Sequence, residues 1–209
     1  MSNRQVELHV DPACPWCWLT ALWLFEVEQV RPITITTKLF SLAEINRADG
    51  ANSDALKAAE RALRVMVAAR RAGGEKATRV VYRALGEANH ERNDAPGEME
   101  TLRAAVAAAG LRAKLADEAL ADPSTLTELN AEHAAVVERG AFGVPTLSIN
   151  GSAPFFGPII ETRITGEEAG ELWDIVAPVL ADPRLFELKR NRTRRPDVRR
   201  YREKAAVAH

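Results

Sequence analysis

Thiols are scarce. The 209 residues contain two cysteines, Cys14 and Cys17, three positions apart. With no second pair, a four-ligand structural zinc site lacks half its usual donors, and only a site shared between two chains would complete it. The four histidines, His9, His90, His133 and His209, are far apart and are not spaced like a zinc-finger pair. Aromatics are sparse at 6%. No run approaches the roughly 18 to 20 apolar residues that cross a bilayer. The opening MSNRQVELHV has no apolar signal-peptide core, so the expected location is cytoplasmic. No G-x-G-x-x-G follows a strand and no G-K-[ST] loop occurs, so no bound nucleotide cofactor is expected.

What is present is ordinary for a folded soluble protein, 46% apolar and 27% charged. The net charge is −1, but residues 182–209 carry ten Lys or Arg against four acids, leaving −7 on the remainder. The basic stretch LKRNRTRRPDVRRYREK could attract nucleic acid or an anionic surface. It has no interleaved aromatics beyond Tyr201 and no nucleic-acid motif, which favours a solvated helix or an arm packed on an acidic body.

QVELHVD, residues 5–11, alternates with period two and predicts a strand. Residues 14–31 are apolar nearly all round (Trp18, Leu19, Leu22, Trp23, Leu24, Phe25, Val27, Val30), which predicts a helix buried on most faces and ended by Pro32. ITITTKLF, 33–40, predicts a second strand. Five helices are expected at 54–72, 75–89, 96–109, 111–121 and 124–139, punctuated by Gly73-Gly74, the 93–97 stretch, Gly110 and Asp122-Pro123. PTLSIN, 145–150, predicts a third strand, and Asn150-Gly151 a two-residue hairpin turn. Thr165 and Glu168 form a capping-box pattern ahead of a helix with an apolar stripe of Leu172, Ile175, Val176, Val179 and Leu180. The order β, α, β, helices, β-hairpin, α gives an α/β class: a thioredoxin-like fold, with a central mixed sheet, flanking helices and an inserted all-helical domain. The expected division is 1–50 and 141–181 for the two parts of that fold, 51–140 for the helical insertion, and 182–209 for a basic C-terminal extension.

In a reducing cytosol a C-x-x-C pair is more often catalytic or metal-binding than a permanent staple. Cys14 falls at a helix N-terminus, where unpaired amides and the dipole favour an anion. Pro15 suits the first helical position. Cys14 is therefore expected to be an exposed, low-pKa attacking thiolate, and Cys17, one turn inward, the resolving thiol. Gly143-Val144-Pro145-Thr146 precedes the third strand; a cis-Pro145 would expose the Val144 backbone to a bound thiol ligand. Trp16 should be exposed beside Cys14. Trp18 and Trp23 read as core. Asp11 either tunes the thiols or ends the strand. His133 and Phe155-Phe156 read as structural. His90 and Asn93, in NHERND, read first as a solvated surface loop.

DPACPWCW, a helical block, GVPTLSIN and PFFGP together resemble the DsbA-like branch of the thioredoxin superfamily over residues 5–180. The first motif and the Arg-rich tail look most like the cytosolic actinobacterial subgroup that includes mycothiol-dependent nitroreductases. That resemblance implies a catalytic pair Cys14 and Cys17, with Pro145 matching the cis-proline. It also implies a substrate-binding rim of Pro15, Trp16, Val144, Pro145, Thr146 and, if the insertion loop overhangs the thiols, His90. It implies no resident cofactor, mycothiol or a similar small thiol as co-substrate, and a disulfide or nitro compound as acceptor. A homodimer is compatible; membrane and nucleic-acid partners are not expected. Three other readings stay open. They are a protein disulfide isomerase or oxidase, a thiol-dependent isomerase of the same fold (against which Cys17 argues), and a binding module using the basic tail.

Overall fold

The computed structural model describes residues 3–47 and 53–198. Four strands form one sheet in the order β2-β1-β3-β4, from β1 (Arg4–Val10), β2 (Ile33–Leu39), β3 (Thr146–Ile149) and β4 (Phe155–Phe156). β1 and β2 run parallel, with Leu8 opposite Thr37, joined by α1 (Pro15–Val30). β3 is antiparallel to both β1 and β4. A short α2 (Leu42–Ile45) follows β2. Then come the helices α3 (Asp54–Gly86), α4 (Met99–Ala108), α5 (Leu115–Ala121) and α6 (Pro123–Glu138), with α7 (Gly166–Ala181) after β4. This is the mixed α/β arrangement expected. The expected 50/51 boundary, His209 and residues 199–209, including Tyr201, lie outside the described residues.

α1 is buried nearly all round, as its composition predicts: Cys17, Trp18, Leu19, Ala21, Trp23, Leu24, Phe25 and Val27 are all in the core. α7 packs along it. Trp23 donates its indole N–H to the Ala169 carbonyl (3.0 Å) and lies 5.9 Å from the Trp173 ring. Arg31 closes the end of α1 on Glu167 (2.6 Å) and Asp174 (2.9 Å). The buried face of α7 is Ala169, Trp173, Ala177 and Leu180. The expected stripe is thus rotated, and Ile175 is 69% exposed. The stripe was chosen on hydrophobicity alone, whereas contact with α1 selects small residues beside one tryptophan. The capping box does not form either: Thr165 makes no side-chain cap bond, and Gly166 at φ 58° turns the chain so that its N–H meets Glu26 (3.2 Å).

β2 is an edge strand, so every second N–H faces away from its partner and needs an acceptor. Three glutamates from three helices supply one each: Glu28 to Ile35 (3.3 Å), Glu75 to Thr37 (2.8 Å) and Glu132 to Leu39 (3.1 Å). Through Glu75 and Glu132 this ties α3 and α6, two of the helices between β2 and β3, to the sheet edge. Arg79 of α3 strengthens it by pairing with Glu28 and donating to the Ile35 carbonyl (2.8 Å).

Gly73-Gly74 kinks α3 at Gly74 (φ 65°) and does not end it. NHERND is a solvated loop only at its end, where Asn93 and Asp94 are exposed and outside any helix, while Asn89 and His90 are half-buried. Residues Glu87–Arg92 continue α3 as a π-helical stretch that ends at left-handed Asn93 (φ 60°). The Asn150-Gly151 turn closes with both residues at positive φ and Ser152 bonding back to Ile149 (3.0 Å). Pairing resumes only at Phe155, so the hairpin is longer than a two-residue turn implies.

α3 meets α1 through Gly86, where a Cβ would come within 2.4 Å of the Trp18 ring. Gly86→Ala therefore overpacks this contact. The expected loss is about 1–3 kcal/mol, set against under about 1 kcal/mol gained in helix propensity. Urea unfolding measures it; a variant as stable as the parent would contradict so close a docking.

Candidate active site

β1 delivers the loop Asp11-Pro12-Ala13, and this loop sets the start of α1. Asp11 is fully buried. One carboxylate oxygen accepts from Ala13 N–H (2.8 Å), the other from Leu42 N–H (2.9 Å), and its carbonyl accepts from Cys14 N–H (3.1 Å). Asp11 thus ends the strand and ties the loop to α2. Cys14 is the N-cap of α1, with Pro15 at the first helical position, as expected. The Cys14 sulfur accepts from Cys17 N–H (3.4 Å), in the role a serine or aspartate oxygen usually has at this position.

The peptide bonds Val144–Pro145 and Gly157–Pro158 are both cis. The Val144 carbonyl accepts from the Cys14 thiol at 3.7 Å. Thr146 fastens the turn by donating to Gly143 (2.7 Å), and Gly157 N–H meets the Pro145 carbonyl (2.8 Å). Thr20, one turn into α1 beyond Trp16, donates to the Pro158 carbonyl (2.7 Å). Both loops are thereby held against α1. Cys17 lies beneath Cys14, its thiol directed at the His9 carbonyl (3.7 Å), while the Tyr82 hydroxyl donates to its sulfur (3.8 Å). Both cysteines are free thiols here.

The structure brings Cys14, Pro15, Trp16, Cys17, Val144, Pro145 and Thr146 together, and adds His90. His90 Nε2 lies 2.9 Å from the Pro12 carbonyl and its ring stacks on Trp18 at 6.2 Å. Asn89 donates to the same carbonyl (3.2 Å). His133 is structural, accepting from Ser41 N–H (3.3 Å) and edge-on to Phe40. Phe156 stacks on Phe142 (5.1 Å), consistent with hairpin packing.

Three expectations need correction. Cys14 is only 9% exposed, and burial pushes its thiol up to about 11, against the pull of the Cys17 amide. The helix terminus does not outweigh desolvation in this closed arrangement. Val144 is buried, and its carbonyl is taken by Cys14 and not left open. Trp16 is half-buried: it packs against the core, and the guanidinium of Arg192 lies over its ring at 5.4 Å.

Sequence reasoning missed two residues at this site. Tyr82 sits near the C-terminal end of α3, edge-on to Trp18 at 5.9 Å; its only sequence signal is that the chain has two tyrosines. Arg192 comes from the basic stretch, whose charge count cannot say which arginine folds back. Burial also shifts neighbouring groups. Asp11 is raised to about 6, His9 and His90 are lowered to about 4, and Cys17 and Tyr82 are raised well above their ordinary values.

With this geometry in place, comparison with known proteins is informative. The family model described as Rv2466c-like, mycothiol-dependent nitroreductase Rv2466c, matches residues 13–190. Uncharacterized protein Rv2286c of Mycobacterium tuberculosis is 32% identical over 188 residues, covering 88% of this chain and 81% of that one. Oxidoreductase DsbA from Xylella fastidiosa superposes with a TM-score of 0.56 at 17% identity, covering 84% of this chain and 85% of its own. A 2-hydroxychromene-2-carboxylate isomerase superposes at 0.60 and 18% identity, covering 83% and 93%. At these identities the two structures speak to the fold alone, which is DsbA-like and thioredoxin-like.

After burial, the charge of Asp11 is what most opposes a Cys14 thiolate. Asp11→Asn removes that charge and keeps an oxygen for one amide. At pH 7.5 the wild-type carboxyl is ionised, so Cys14 should alkylate about 2- to 5-fold faster in the variant, as a Coulomb term of about 0.5–1 kcal/mol implies. As pH falls through about 6 the wild-type group becomes neutral too, and the difference should close progressively. A pH–rate profile with iodoacetamide measures this; superimposed profiles would contradict it.

Proposed function

The chain belongs to the Rv2466c-like family of mycothiol-dependent nitroreductases, and we propose that Cys14 and Cys17 are the redox pair of a thiol–disulfide oxidoreductase. One observation carries the reading: a sulfur caps α1 and faces the Val144 carbonyl, with the second sulfur one helical turn beneath it.

In the reductive direction, Cys14 gives up its proton and its thiolate attacks one sulfur of a disulfide substrate. The substrate S–S bond breaks, a mixed disulfide forms on Cys14, and the leaving thiolate takes a proton. Cys17 then loses its own proton and attacks the Cys14 sulfur. The Cys14–Cys17 bond forms and the second substrate half departs as a thiol. Two electrons have moved. With a nitro acceptor, the same two electrons and two protons give a nitroso group and one water.

Regeneration needs two equivalents of a small thiol, for which the family points to mycothiol. The first thiolate attacks Cys14 and frees Cys17; the second removes the first as the oxidised small thiol. In this reading the cycle runs in the cytosol, where such thiols are kept reduced.

The surroundings support each step. Entry of a substrate displaces the Cys14 thiol from the Val144 carbonyl but leaves the Cys17 N–H donating to the sulfur as negative charge grows. The Tyr82 hydroxyl donates to Cys17, so the charge that appears there has a partner inside the core. Trp18 and His90 hold the Pro12 loop, which fixes the height of Cys14 relative to Pro145. Among the described residues no helix is long and apolar enough to cross a membrane.

Cys17→Ser should stop the cycle at the mixed disulfide. Incubated with oxidised mycothiol, it should gain the mass of one mycothiol-derived group, mapped to Cys14. No adduct, while Cys14 still reacts with iodoacetamide, would overturn mycothiol as the partner.

A further inference from the structure

The basic stretch after α7 does not simply trail into solvent. Arg194 pairs with Glu161 (3.0 Å), the Asp197 N–H bonds to the Glu161 carbonyl (2.8 Å), and Val198 packs against the core. Glu161 lies three residues beyond Pro158, whose carbonyl is held by Thr20 of α1. The chain from 192 to 198 is therefore strapped to the rim beside Cys14. It begins just past residue 190, where the family-model match ends.

On this strap Arg192 stands apart from Arg194. Its guanidinium carbon lies over the ring of Trp16, the residue between Pro15 and Cys17, at 5.4 Å. Among the described residues it has no carboxylate partner, whereas Arg194 has Glu161. A cation–π contact engages the charge of a guanidinium and does not use up its edge of N–H donors. That edge matches the two oxygens of a carboxylate. The contact with Trp16 restricts the side chain before a ligand arrives, so less freedom is lost on binding. Its positive charge is also felt at the Cys14 thiol, where it favours the thiolate. The fixed negative charge felt there, that of Asp11, is buried and committed to two amides.

We propose that Arg192 forms an anion subsite at the mouth of the thiol pair, which selects acceptors carrying a carboxylate next to the atom that Cys14 attacks. This rests on the reading of Cys14 as the attacking thiol. The C-terminal strap is then part of the active site: it supplies a residue that meets substrate, and the chain without it keeps the thiols but not the selectivity.

Iodoacetate and iodoacetamide test this directly. They are nearly the same size and both form one S–C bond with release of iodide, but only the first carries a carboxylate. The ratio of their rates at Cys14, read by peptide mass, cancels any change in thiolate fraction or access. For Arg192→Gln the iodoacetate-to-iodoacetamide ratio should fall about 3- to 10-fold at low salt, the range expected for losing one close charge pair at a partly solvated site. Arg192→Lys should retain much of the ratio, and 0.5 M salt should shrink the gap between parent and Gln variant. An unchanged ratio in Arg192→Gln would overturn the subsite, even if both rates rose, since that pattern means the strap only covers the thiol. Labelling confined to Cys17 would instead overturn the assignment of Cys14, and the subsite with it.

Discussion

A sulfur atom caps the N-terminus of α1, and the rest of the site is arranged around that one bond. Helix ends need acceptors for their first amides, and oxygen side chains usually provide them. Here the Cys14 sulfur accepts from Cys17 N–H. The consequence is chemical as well as structural. The donor that completes the helix becomes the donor that meets a thiolate when Cys14 ionises. Asp11 sets the angle of the turn from one side and the Val144–Pro145 loop from the other. Trp18, in the same first turn, is the surface on which Tyr82, Gly86 and His90 of the helical segment dock.

Two opposed demands meet at this turn. Packing has made the thiols nearly inaccessible, and desolvation holds both in the protonated form. The oxidoreductase chemistry of the family requires the opposite, an ionised sulfur in contact with a small molecule. The structure supplies the two elements that reconcile them. The Cys14 thiol is a weak donor to the Val144 carbonyl, so that contact is easily exchanged for one with a substrate. The charges near the pair, Asp11 and Arg192, are of opposite sign, one buried and one exposed over Trp16. In the proposed reading, a substrate that enters meets the exposed positive charge of Arg192.

The sequence made local matters readable where a single periodicity or a covalent constraint dominates. β1, α1 and β2 fall within a residue or two of expectation, because alternation, all-round apolarity and Pro32 each leave one choice. Cys14, Pro15 and Pro145 take the expected positions, since the C-P-W-C helix start and the cis-proline loop are set by short-range geometry. What was not readable depends on partners distant in sequence. The face of α7 turned because Trp173 meets Trp23. Gly74 bends α3 without ending it, since both halves stay packed on the core. His90 is held by the Pro12 carbonyl and by Trp18, not by anything in NHERND. The burial of Cys14 and the cover over Trp16 come from segments more than a hundred residues away.

The central claim is that the two sulfurs work as one two-electron unit, and counting thiols tests it most directly. The reduced protein is treated with one equivalent of a small disulfide, and free thiols, released thiol and chain mass are measured together. The account predicts that both cysteines are lost at once, two small thiols are released per chain, and the chain loses two hydrogens as a Cys14–Cys17 disulfide forms. A stable mixed disulfide with Cys17 still free, or a disulfide joining two chains, would contradict it.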